Sequence, residues 1–352
     1  MASQIQTKRL FIEAMPPWKS SSDAEIDFAT ALSKRISHAK GKNVQGLELL
    51  ELTLSLLGGG EDYCGEPLHL HNAYPLNHSE VTSNLISQIA YAIESRDSDI
   101  KNSGSYFTPH ILATDMVNVA AQKWAENHSE NVINAVWYDP CVGGGIFPIA
   151  IADYLLTKGL GADDIFTRIL GTDINPLFVE ATKIRLALVL SKDDTKKFLP
   201  YYNKLTGISC EDSLQAHPEE RNMFSVDKPP VDIVVGNPPY IRSNSIPIDT
   251  KETLRELYPS IWTGTADLYM FFIAHGLNAL KPGGVLCYVS PATFQRTSSG
   301  YAIRNYISKR ASVDVVYDFD ELPVFENVGS HISVYILSKV ERAVPETDYI
   351  LF

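Results

Sequence analysis

Cysteine is scarce in this chain: Cys64, Cys141, Cys210 and Cys287 are scattered, with no C-x-x-C pair and no histidine at ligand spacing. That pattern gives neither a disulfide framework nor a zinc site, so no metal is expected and the thiols read as reduced core residues. Long apolar runs are missing too. No stretch approaches the roughly 20 residues that span a bilayer, and the N-terminal "MASQIQTKRLFIEAMPPWKS" lacks the apolar centre of a secretion signal. A soluble, cytoplasmic protein is expected. Positive charge is also in deficit, 30 Lys and Arg against 42 Asp and Glu, for a formal net charge of −12. Phosphate neutralisation supplies most non-specific affinity for nucleic acid, so a broad basic face is excluded and any such partner must be gripped with help from elsewhere. Repeats and low-complexity segments are absent.

What is present is an ordinary globular balance, 352 residues with 45% hydrophobic and 20% charged, long enough for a large core. Residues 1–100 show no strand pattern. "DAEIDFATALSKRISHA", "VQGLELLELTLSLLGGG" and "HSEVTSNLISQIAYAIESR" place apolar residues three and four apart, which predicts a helical N-terminal region. Its simplest role is a cap on the main domain. From about residue 130 the rhythm becomes strand, turn, helix. "VINAVWYD", "RILGTD", "TGISCED", "VDIVVGN", "GGVLCYVSP", "VDVVYDF" and "ISVYILSK" read as strands, with helical segments between most of them. This predicts an α/β domain over 101–343 with a doubly wound, mainly parallel seven-stranded sheet, followed by a tail at 344–352. The last two strands have no good helix between them and are expected to pair antiparallel. Ligands of such sheets bind outside the carboxyl ends of the strands.

The motifs sit at those ends. "YDPCVGGGIF" closes the first strand with Asp139 and turns through Gly143, Gly144 and Gly145 into a helix, which suits a tight turn that a ligand approaches closely. Alone it fits a dinucleotide site or a purely structural turn equally well. "GTDINP" ends the second strand at Asp173, where a carboxylate can accept from ribose hydroxyls, and "CEDSL" places Asp212 after the third, within reach of an exocyclic amine. For each Asp the bland alternative is a helix N-cap. Three carboxylates would repel a pyrophosphate but welcome a cationic, phosphate-free nucleoside such as S-adenosylmethionine. Upstream, "GSYFTPHIL" opens a helix with Thr108 as its expected N-cap and Pro109 at the first helical position, leaving Tyr106 and Phe107 unexplained.

The fourth strand runs into "NPPY". The side-chain oxygen of Asn237 and the carbonyl of Pro238, on a backbone that two prolines stiffen, offer two fixed acceptors to one NH2 group. Accepting both N–H bonds favours a pyramidal nitrogen and stabilises the charge that develops as it attacks a methyl group. Tyr240 adds a flat ring on which a heterocycle can stack. The bland alternative is a rigid turn whose Tyr belongs to the core.

In that order, "GSYFTP", "DPCVGGGIF", "GTDINP", "CEDSL", "VVGNPPY" and "DLYMFFIAHGLNALKPGGVLCYVSPATF" resemble the motifs of gamma-group DNA adenine-N6 methyltransferases, including those of restriction-modification systems, over about residues 100 to 340. The resemblance implies the S-adenosylmethionine-dependent methyltransferase sheet and an adenine flipped out of DNA. It implies cofactor contacts at Tyr106, Thr108, Asp139, Gly143, Gly145, Asp173, Asp212 and Phe272. Asn237, Pro238 and Tyr240 would hold the adenine, with a second ring supplied by Tyr301 or, in competition, Phe294. The family carries a target-recognition domain after the methyltransferase domain, and none is evident before Phe352. A second protein subunit is therefore expected to supply target recognition, despite a local cluster of Arg242, Lys251 and Arg255 after the clamp. The competing reading is a protein-glutamine N5 methyltransferase, which would use the same clamp on a side-chain amide.

Overall fold

The computed structural model describes residues 86–88, 90–91, 108–192, 194–215, 230–319, 331–340 and 348–351. Residues 86–88 and 90–91 are helical; the rest of the expected helical N-terminal region, and Tyr106, lie outside the described residues. The chain forms two compact units. One takes its described residues from Asn102–Cys141 and Asp212–Phe352, the other from Ser20–Lys101 and Val142–Glu211.

In chain order the main elements are α1 (His110–Asn127), β1 (Trp137–Asp139), α2 (Ile146–Thr157), α3 (Ala162–Ile165), β2 (Ile169–Asp173), α4 (Pro176–Ser191), α5 (Thr195–Lys204) and β3 (Ile208–Cys210). There follow β4 (Val231–Gly236), α6 (Ile248–Leu257), α7 (Leu268–Ala279), β5 (Leu280–Pro291), α8 (Thr293–Arg296), α9 (Tyr301–Ser308), β6 (Ala311–Asp318), β7 (Ile332–Lys339) and β8 (Asp348–Leu351). All seven expected strands are present, and β8 adds an eighth among the described residues.

In the first unit the strands run in the order β1-β4-β5-β7-β6-β8. The pairs β1–β4, β4–β5 and β6–β8 are parallel, while β7 lies antiparallel between β5 and β6. The expected antiparallel pair is thus β6–β7, and β8 continues the sheet beyond it. Every residue of β4, "VDIVVG", is buried. A parallel strand covered on both faces needs such a largely apolar run, each Val or Ile contributing about 1.5–3 kcal/mol. Its one charge, Asp232, is compensated by Lys281 Nζ at 2.9 Å and by the Val136 N–H at 2.8 Å. α1 packs on β4 and β5 from the same unit, and α7 buries Tyr269, Phe271 and Phe272.

In the second unit β2 and β3 pair in parallel, Asp173 opposite Cys210. α4 begins as "INP" predicts: Asn175 accepts the Leu177 N–H at 2.9 Å and Pro176 occupies the first turn, where a missing N–H costs nothing. The mainly parallel α/β class expected from the alternating pattern is borne out. Among the described residues no helix is long and apolar enough to cross a membrane.

Candidate active site

The ends of β1 and β4 bring the first acid against the clamp. Asp139 is fully buried, and its Oδ1 accepts the Cys141 N–H at 3.1 Å. A Cβ on Gly236 would stand 2.8 Å from that same Oδ1, so the residue before Asn237 has to be glycine for the carboxylate to fit. Asn237 then donates from Nδ2 to Thr108 Oγ1 at 3.0 Å, while its Oδ1 is shielded from solvent and has no hydrogen-bond partner among the described residues. Its backbone carbonyl accepts the Cys141 thiol at 3.5 Å. Pro238 is buried and Tyr240 half-buried, its hydroxyl donating to the Val289 carbonyl at 3.4 Å.

One expectation is overturned here. Thr108 does not cap a helix: Pro109 stands at the cap position with φ −58 and ψ 138, α1 starts at His110, and no side chain caps it. The Thr108 hydroxyl is committed to Asn237 instead, 129 residues away in sequence.

The segment after the clamp is pinned to the start of α7. Asp267 accepts the Ser243 N–H at 2.9 Å, and Leu268 N–H donates to the Ile241 carbonyl at 2.9 Å. Burial pushes the Asp267 carboxyl up, against the opposing effects of that N–H and of Arg242. Arg242 and Arg255 are exposed and Lys251 half-exposed.

Asp212 serves its own turn, Oδ1 accepting the Leu214 N–H and Oδ2 the Gln215 Nε2, each at 3.0 Å. The next residue, Ser213, donates to the Pro140 carbonyl at 2.6 Å and accepts from the Tyr138 hydroxyl at 3.4 Å, which ties this turn to the end of β1. Behind it His275 stands between two phenols, Nε2 at 3.3 Å from Tyr138 and Nδ1 at 3.4 Å from Tyr258. Sequence reasoning missed this buried polar column; a histidine inside the otherwise apolar "LYMFFIAHGL" was the available signal. Phe272 is buried on α7. Phe294 is also buried, edge-on to Tyr269 and Tyr335 with ring centroids at 6.2 and 5.2 Å, whereas Tyr301 at the start of α9 is 68% exposed. Of the two candidate rings, only Tyr301 has an open face.

In the second unit the glycine turn is held from several sides. Gly143 and Gly145 have φ of +49 and +83, a region that side chains disfavour. Asp173 accepts the Gly143 N–H at 2.9 Å through Oδ2 and the Asn175 N–H at 2.9 Å through Oδ1. On α4, Thr182 donates to the Gly143 carbonyl at 3.1 Å and Arg185 to the Gly144 carbonyl. Burial lowers the Arg185 guanidinium to about 10, still charged at neutral pH. A Cβ on Gly144 would meet the Tyr91 ring at 2.9 Å. Sequence reasoning missed Thr182 and Arg185; the available signal was two polar positions three apart on α4, beside Glu180 and Lys183.

The donor set fits a cationic nucleoside. The Asp173 oxygens hold the glycine turn by accepting backbone N–H groups, and a carboxylate beside that turn suits a positive ligand with hydroxyls to donate.

Comparison with known proteins points the same way. A family model described as the Eco57I restriction-modification methylase matches residues 167–325. Type II methyltransferase M.HincII of Haemophilus influenzae is 29% identical over 141 residues, covering 38% of this chain and 28% of that protein. M.BstVI of Geobacillus stearothermophilus is 27% identical over 219 residues, 59% of this chain and 38% of the relative. The chain therefore spans less than two fifths of the length of these relatives. Among solved structures, the Type IIL restriction-modification enzyme MmeI in complex with DNA superposes with a TM-score of 0.62 at 11% identity, over 96% of this chain and 59% of the other. A Listeria monocytogenes protein described as a class I S-adenosylmethionine-dependent methyltransferase gives 0.53 at 15% identity, over 94% of both. The fold is that of these methyltransferases, and the resemblance carried by the motif order is borne out by the restriction-modification relatives. The protein-glutamine alternative finds no support among them.

Proposed function

We propose, with the match of residues 167–325 to a restriction-modification methylase as the premise, that this chain transfers a methyl group to the N6 amine of adenine in DNA. The observation that carries the reading is the state of Asn237, a buried side-chain oxygen without a partner among the described residues, at the end of β4 and followed by Pro238 and Tyr240. A buried acceptor costs free energy unless something occupies it, and an amine with two N–H groups is what this one, with the Pro238 carbonyl, would accept. S-adenosylmethionine supplies the electrophilic methyl group when bound. The residues proposed to hold it are Tyr106, Thr108, Asp139, Asp212 and Phe272 together with Gly143, Gly145 and Asp173. Tyr240 and Tyr301 are proposed to stack on the flipped base, and burial of the amine beside Pro238 keeps its N–H bonds from water. Target recognition is proposed to come from a further polypeptide or protein segment, because a net charge of −12 supplies little attraction to a phosphate backbone.

Tritium transfer from labelled S-adenosylmethionine to PCR-amplified DNA, RNA and protein tests the reading, with N6-methyladenine identified after DNA digestion. Label confined to DNA at that nitrogen is the expected result, and label in protein alone would overturn it. Sequencing of the modified sites reports on recognition: robust methylation of one short motif by the isolated chain would refute the second-polypeptide proposal. At Tyr240, Phe should keep much of the activity, because it retains the ring, and the phenol's bond to the Val289 carbonyl is a long one at 3.4 Å. Ala should lose most of it, by the roughly 1 to 3 kcal/mol that base stacking contributes. Equal rates in the two variants would rule out stacking.

A further inference from the structure

We infer that Thr108 is a positioning residue for the amide of Asn237, fixing which of its two ends meets the target. A primary amide has two nearly isosteric ends of opposite hydrogen-bonding character, the oxygen accepting and the nitrogen donating. An amine needs acceptors, so the clamp works in only one of the two rotamers. The Thr108 hydroxyl takes the Nδ2 end at 3.0 Å and leaves Oδ1 the unpartnered one. Thr108 is buried, 6% exposed, and it spends no hydrogen bond on capping α1. The neighbouring Cys141 thiol engages the backbone carbonyl of Asn237. Among the described residues, the orientation of the amide therefore rests on this one hydroxyl. Pro109 contributes by disfavouring the helical region for the residue before it, which keeps Thr108 out of the helical turn.

The inference rests on the methyltransferase reading and is separable from it. Thr108→Val removes the hydroxyl at nearly constant volume, and Thr108→Ser keeps it. In the full chain, with tritiated S-adenosylmethionine and PCR-amplified DNA, Val should lower kcat about 10- to 100-fold, the scale of a misplaced reacting group. Ser should remain within about threefold of the parent, and the loss in Val should persist at saturating S-adenosylmethionine, since the amide is placed on the target. Unchanged thermal midpoints would separate this from unfolding. Activity retained in Asn237→Ala would sink the underlying reading. Asn237→Ala dead with Val fully active would sink the inference alone. So would Ser as slow as Val, or a loss confined to cofactor affinity. A readout independent of turnover is the side-chain NH2 signal of Asn237 in asparagine-labelled protein, assigned by its disappearance in Asn237→Ala. Its protons should exchange slowly in the parent and in Ser and quickly in Val; identical exchange in all three would overturn the proposal.

Discussion

Replacing Asn237 by alanine should reduce methyl transfer about 100- to 1000-fold, the range found when one fixed group is withdrawn from a charge-stabilising site. The substitution removes the only side-chain acceptor of the clamp and leaves Asp139, Gly236 and Pro238 in place. S-adenosylmethionine affinity should stay close to that of the parent, because the amide is spent on Thr108 on one side and on the target on the other. Single-turnover transfer to PCR-amplified DNA, set beside calorimetry with S-adenosylmethionine, checks both statements. A variant that binds poorly but reacts normally when saturated would move Asn237 from the target to the cofactor. Aspartate is the informative control, since it keeps an acceptor at this position but cannot donate to Thr108 in its ionised form.

The second large effect is expected at Asp173. Its carboxylate was first read as a ribose acceptor, and it also fastens the glycine turn by accepting the Gly143 and Asn175 N–H groups, each at 2.9 Å. Asp173→Ala therefore removes a proposed ligand contact and the support of the glycine turn at once. A hydrogen bond to a charged group is worth about 1.5–3 kcal/mol, so cofactor affinity should fall roughly 10- to 100-fold, with some loss of thermal stability as two backbone donors lose their partner. Asp173→Asn should lie between, because the amide oxygen can still accept from one N–H while its NH2 faces the other donor. Calorimetry and a melting curve on the same preparations decide the matter. A folded Ala variant with unchanged affinity would remove Asp173 from the cofactor's surroundings.

The strands and the turn chemistry were legible because their causes are local. β4 announces itself as a Val- and Ile-rich run broken only by Asp232, and Asn175-Pro176 start α4 by rules that need no tertiary contact. Thr108 was misread for the same reason: Thr-Pro before an apolar run is a sound local cap signal, but a partner 129 residues away claimed the hydroxyl. Asp212 shows the converse, a residue chosen for a ligand that also serves its own turn. The column of Tyr138, His275 and Tyr258 joins three elements, and no sequence spacing ties them together. β8 escaped notice because four residues carry too little pattern to separate a strand from a tail. Nor could the sequence tell that Phe294 is enclosed by Tyr269 and Tyr335 while Tyr301 is exposed.

The pairing of β1 with β4 gives the site a common mount. Trp137 faces Ile233 and Tyr138 faces Val234, and just beyond these pairs the Asp139 carboxylate lies against Gly236 with no room for a methyl group between them. A residue along a parallel strand advances about 3.3 Å, so any slip of register would carry the acid and the amide out of alignment by more than a hydrogen bond tolerates. Neither can be adjusted in position without the other. Variation between such proteins then has to be written into the loops that bring a target to this fixed pair, while the pair itself is machined into the sheet.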